Sequence, residues 1–74
     1  MSIGKEIKRV RMAAFLNQAE FGQAIGGFSY TSINRWENDR GKPGLRALKA
    51  IDTFAKENNI EFDIKQAMEE QLQL

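Results

Sequence analysis

Two helix starts, at Asn17 and Ser29, flank the double glycine Gly26-Gly27. That arrangement limits the chain more than any other feature. Asn17 offers a side-chain oxygen to the free N–H groups of a first turn, and Glu20, three residues on, stands in capping-box relation to it. Gln18 to Ile25 then reads as a short helix, with Phe21, Ala24 and Ile25 turned inward. Gly26 and Gly27 stop it, because glycine enters the left-handed region without a Cβ penalty; Gly27 is the residue expected at positive φ. Ser29 opens the next helix with Ser32 at its third position, and Ile33 and Trp36, three apart, face a core.

The flanking segments are helical too. Ile3, Ile7, Val10 and Ala14 recur at helical spacing and predict a helix over about 3–14, with Lys5, Lys8 and Arg9 on its other face. Residues 37–44 read as a loop with Gly41, Pro43 and Gly44. Leu45, Leu48, Ile51 (or Asp52), Phe54 and Ala55 give the stripe of a helix over about 45–57, closed by Asn58-Asn59. Residues 60–64 alternate apolar and polar, a strand signal, yet Asp63 equally caps a helix with Gln66 at its third position. Ile64, Ala67, Met68, Gln71 and Leu72 share one helical face. A lone strand has no partner within this chain, so an extended 60–62 and a helix over about 64–72 are expected. The expectation is an all-α, compact bundle of four to five helices, with a helix-turn-helix at the second and third. Its main unit is placed at 1–58, with a C-terminal extension over 59–74.

Composition narrows the chemistry. At 74 residues the chain is one domain with no room for a deep cleft beside its core. It has no cysteine and no histidine, which removes thiolate or imidazole zinc sites and the usual nucleophile–base pairs. Glu69-Glu70 reads as a solvated helix face rather than a catalytic pair. No enzyme activity, cofactor or metal is expected. No apolar stretch approaches the ~20 residues of a membrane span and no signal sequence is visible, so the expected address is the cytoplasm, with no membrane partner. Charge is uneven: residues 1–58 carry ten cations and six acids (+4), residues 59–74 one cation and four acids (−3).

The outer face of the third helix presents Tyr30, Thr31, Asn34, Arg35 and Asn38, with no Leu, Val or Ile. These groups can address base edges in a major groove, although any exposed helix is polar. A more specific signal comes from Leu16-Asn17-Gln18-Ala19-Glu20-Phe21, Ile25-Gly26, Ser32-Ile33-Asn34-Arg35-Trp36-Glu37-Asn38 and Lys42-Pro43. With Ile7-Lys8-Arg9-Val10-Arg11 before them, these resemble the Cro/C1-type helix-turn-helix family, which includes phage repressors and xenobiotic-response-element-type regulators.

The resemblance covers about residues 3–57 and implies residue roles. Tyr30, Thr31 and Arg35 match base-reading positions, and Asn34 and Ser32 match neighbours that reach a base or a phosphate. Gln18 matches a phosphate contact that also buttresses the third helix. Asn38, Arg40 and Lys42 match the loop lying on the DNA backbone, and Arg11 and Glu37 match a structural ion pair. Arg35 is the first choice for a base, with a phosphate contact as its alternative; Trp36 is read as core. The implied partner is a double-stranded DNA operator bound by a homodimer. Ile60, Phe62, Ile64, Met68, Leu72 and Leu74 supply an apolar surface either for that dimer or for folding back on the chain's own first and fourth helices. A partner regulator protein is the alternative, the chain then acting as a modulator, antirepressor or antitoxin on the same scaffold.

Three positions depart from the family pattern. The turn Gly26-Gly27-Phe28-Ser29 is one residue longer than usual, Gly22 stands where alanine is usual, and Asp39 where glycine is usual. Gly22 is expected to be a compatible small residue, at ~1 kcal/mol of helix propensity.

Overall fold

The structure is a computed structural model; its backbone is described over residues 2–72 and its side chains over residues 2–71. Within that range the chain forms α1 (Ile3–Ala13), α2 (Gln18–Ala24), α3 (Tyr30–Glu37), α4 (Leu45–Glu57) and α5 (Ile64–Leu72), with no strand. Capping chemistry marks most of the starts. Ser2 caps α1, and Asn17 and Glu20 close a full capping box on α2. Ser29 accepts from the Ser32 amide at the head of α3, and Asp63 accepts from the Gln66 amide at 3.0 Å as α5 begins. Residues 60–62 lie in no helix or strand.

The first four helices stop in one way. The amides of Leu16, Gly27, Arg40 and Ile60 donate to the carbonyls of Arg11, Gly22, Arg35 and Ala55, each five residues back, at 3.3, 2.9, 2.9 and 2.8 Å. This is the Schellman closure, which needs a left-handed residue just before the donor. Those residues are Phe15 (φ 60°), Gly26 (φ 113°), Asp39 (φ 56°) and Asn59 (φ 57°). Asp39 thus keeps the conformation that the family's glycine would take. Phe15 is the outlier, since a bulky side chain suits this region poorly and its own is 93% exposed. Phe15→Gly should therefore raise stability by about 1 kcal/mol, the left-handed cost released with almost no burial lost. Urea unfolding reads this directly, and an unchanged or lower midpoint would contradict it.

Every helix contributes to one core: Ile3, Ile7 and Val10, then Phe21 and Ile25, Ile33 and Trp36, Ala47, Leu48, Ile51, Phe54 and Ala55, and Ala67. Phe21 meets Phe54 edge to face at 5.3 Å between centroids. Two expectations fail. Ala24 is exposed, because Phe21 and Ile25, four apart, take the seam of this short helix and turn Ala24 to its flank. Leu45 is 51% exposed, because it is the first residue of α4 and its side chain leans toward the helix start, beyond the core. Asp52 also leaves the core stripe to Ile51 and pairs with Lys56.

Ile60, Phe62, Ile64 and Met68 are half-buried against the chain's own core. The Arg9 guanidinium donates to the Glu61 carbonyl, and the Gln71 amide to the Pro43 carbonyl. The Leu72 side chain and Leu74 lie outside the described residues.

The long turn and Gly22 are a single feature. The amides of Gly27 and Phe28 both donate to the Gly22 carbonyl at 2.9 Å. The chain then folds over α2 so closely that a Cβ on Gly22 would stand 2.0 Å from the Phe28 carbonyl oxygen. Glycine is required here, which corrects the expectation of a merely compatible small residue.

Candidate nucleic-acid interface

Ile33 and Trp36 anchor α3 in the core and leave its other face outside. Tyr30, Thr31, Arg35 and Asn38 are exposed there, while Ser32 and Asn34 are half-buried at its edge. Arg40 and Lys42 are exposed on the loop that follows. The Arg35 guanidinium lies along this loop, with one nitrogen 3.4 Å from the Arg40 carbonyl. The Asn38 side chain turns back onto the Asn34 carbonyl at 2.8 Å.

Behind this face runs a polar chain of contacts. Arg11 forks onto Glu37 through Nε at 2.7 Å and a terminal nitrogen at 2.9 Å. Its remaining nitrogen donates to the Leu16 carbonyl at 2.9 Å. The side chains of the pair are only 13% and 3% exposed, so the bidentate geometry sits largely out of water. Hydrogen bonding to Glu37 holds the Arg11 guanidinium above its ordinary pKa. A raised base contributes its stability in full below its unfolded pKa and loses it only as pH rises past the folded one. The pair therefore adds no alkaline weakness short of strong base.

Gln18 joins the same chain. Its Nε2 donates to Glu37 at 3.1 Å, and its Oε1 accepts from Asn34 Nδ2 at 3.3 Å. One glutamine thus ties the start of α2 to both the middle and the end of α3. The structure therefore brings together Arg11, Gln18, Asn34 and Glu37 as a brace, and Tyr30, Thr31, Arg35, Arg40 and Lys42 as an outward set. Ser32 belongs locally to the cap, its hydroxyl accepting from Ser29 at 3.1 Å.

One cation near this face escaped the sequence reading. Arg46, in the first turn of α4, holds its guanidinium 5.4 Å from the centre of the Phe28 ring. Its only signal in the sequence is a first-turn arginine, where a helix dipole favours an acid.

Among the described residues no helix is long and apolar enough to cross a membrane, and no cluster of His, Cys, Asp and Glu could hold a metal ion. No curated protein and no solved structure gives a significant match to the chain. A helix-turn-helix family model matches residues 7–54, from the middle of α1 to near the end of α4. That span holds 48 of the 74 residues, the full α2–turn–α3 unit and both ends of the Arg11–Glu37 pair. By this match and by the five helices of its described residues, the chain belongs to the Cro/C1-type helix-turn-helix family, a family of DNA-binding regulatory domains.

Proposed function

We propose that the protein is a sequence-specific transcriptional regulator of the Cro-like or minimal-repressor kind found in phages and mobile elements, which lays α3 in the major groove of an operator. The supporting observation is how α3 is carried: apolar anchors and the Gln18 brace fix its rear, while its front stays polar and exposed. Among the described residues, Arg35, Arg40 and Lys42 form no ion pair, so their charge is open to phosphates and bases. In this reading Tyr30, Thr31, Asn34 and Arg35 contact bases, and Gln18, Ser32, Asn38, Arg40 and Lys42 contact phosphates. The helix-turn-helix unit spans 1–58, and residues 60–71 of the extension 59–74 steady it. Two copies bind a symmetric site with half-sites ~34 Å apart.

Selection from random duplexes, followed by titration of the selected site, tests this. Arg35→Ala should weaken specific binding by about 10- to 100-fold, the worth of one bidentate guanine contact, while random DNA is bound nearly as before. Light scattering of the complex should give two chains per site. Equal affinity of variant and parent for the selected site would reject the base-reading role, and failure to select any site would reject the regulator.

One observation favours a second reading, a modulator or antirepressor that binds another regulator. Met12 in the last turn of α1 and Phe15 just beyond it stand 57% and 93% exposed, an apolar prominence outside the core.

A further inference from the structure

We propose that Arg46 is a further DNA-phosphate contact, held against the α2–α3 turn by a cation–π contact with Phe28. The inference rests on the DNA-binding reading and adds to it a residue that no motif supplied. Arg46 is poorly placed for helix stability. It lies in the first turn of α4, where the dipole disfavours a cation, and that turn holds no acid to offset it. Among the described residues no carboxylate lies within ion-pair distance of it.

What holds it is aromatic. Its guanidinium sits 5.4 Å from the Phe28 centroid, within cation–π range. The Phe28 ring in turn packs edge-on against Trp36, at 5.3 Å and 63°. Trp36 is a core residue of α3, so the chain of contacts runs from a rigid helix through a ring to the charge.

Phe28 directly precedes Ser29, the cap of α3, and lies in the lengthened turn. The ring therefore ties a cation of α4 to α3 through Trp36 and through the turn that leads into Ser29. A guanidinium over a ring has five N–H donors and keeps some of them for an anion while it makes the cation–π contact, a division that a compact lysine ammonium does not offer. Arg35 in the last turn of α3 and Arg40 and Lys42 on the loop form no ion pair among the described residues, and Arg46 adds a fourth exposed cation to this set.

Salt-dependent titrations on the selected site and on a random duplex test the proposal, with urea unfolding of the same samples. Arg46→Gln should weaken both complexes by a common factor of about five to ten and flatten the log K against log salt slope by ~0.9. Arg46→Lys should keep the slope with reduced affinity, and Phe28→Leu should do the same. If Arg46→Gln leaves the slope and both affinities unchanged while the parent protein binds, Arg46 is no phosphate contact. If its weaker binding merely follows a lower unfolding midpoint, the proposal is likewise overturned. If the parent binds neither duplex, the DNA-binding reading itself fails first, and this one with it.

Discussion

Glu37→Ala should lower the stability of the protein by about 3 kcal/mol or more at neutral pH. The carboxylate accepts three hydrogen bonds, two from Arg11 and one from Gln18. Its removal leaves a guanidinium in a site where its side chain is 13% exposed, with only the Leu16 carbonyl as partner. An exposed pair of the same geometry contributes ~1 kcal/mol at most, so the size of the loss reports the desolvation. The expected signature is non-additive. Arg11→Met with Glu37→Leu should be far closer to the parent than either of these two substitutions alone, because apolar groups fill the same space without a stranded charge. Urea unfolding of the four proteins closes the cycle. A loss below ~1 kcal/mol for Glu37→Ala would mean that the pair behaves as surface charge.

The consequence for function follows from Gln18. With Glu37 gone, its Nε2 loses its acceptor, and the amide that orients Asn34 becomes free to turn. The pair thus supports the presentation of α3 as well as the fold.

How far these features were legible depends on the range over which each is determined. Helix starts at Asn17, Ser29 and Asp63 are local hydrogen-bond chemistry, and the residues that make them lie within four positions. Such features read directly from the chain. The Arg11–Glu37 pair spans 26 positions and was legible only through resemblance to a family. Gln18 shows the limit of that route. The resemblance offered phosphate contact and buttressing together, and the geometry displays the buttress. Leu45 was misread because periodicity places a residue on a face but does not say that the core ends before the helix does. The cation–π contact of Arg46 with Phe28 was out of reach, since it joins residues 18 positions apart through a turn whose length departs from the family pattern.

A loss of stability of the same size is expected at Gly22. Helix propensity alone says that Gly22→Ala stabilises α2 by ~1 kcal/mol, and the family's usual residue there is alanine. Steric contact says the opposite and dominates. The new Cβ would lie 2.0 Å from the Phe28 carbonyl oxygen and 3.1 Å from its carbonyl carbon. A methyl needs more than 1 Å of additional room, and the obstacle is backbone, which cannot rotate away as a side chain does. Moving it strains both hydrogen bonds from Gly27 and Phe28 to the Gly22 carbonyl and shifts the Phe28 ring off Trp36. The net expectation is a loss of about 3 kcal/mol or more, with α3 displaced at its capped end. The same geometry predicts a rescue. Deleting Gly27 returns the turn to the family's length and withdraws the carbonyl from α2. Gly22→Ala combined with that deletion should therefore be more stable than Gly22→Ala alone, and the sign of the coupling is the decisive quantity. Urea unfolding of the two singles and the double measures it. Additive losses would show that the glycine and the long turn are independent, and a neutral Gly22→Ala would show that the turn yields where the close approach of Phe28 to α2 says it cannot.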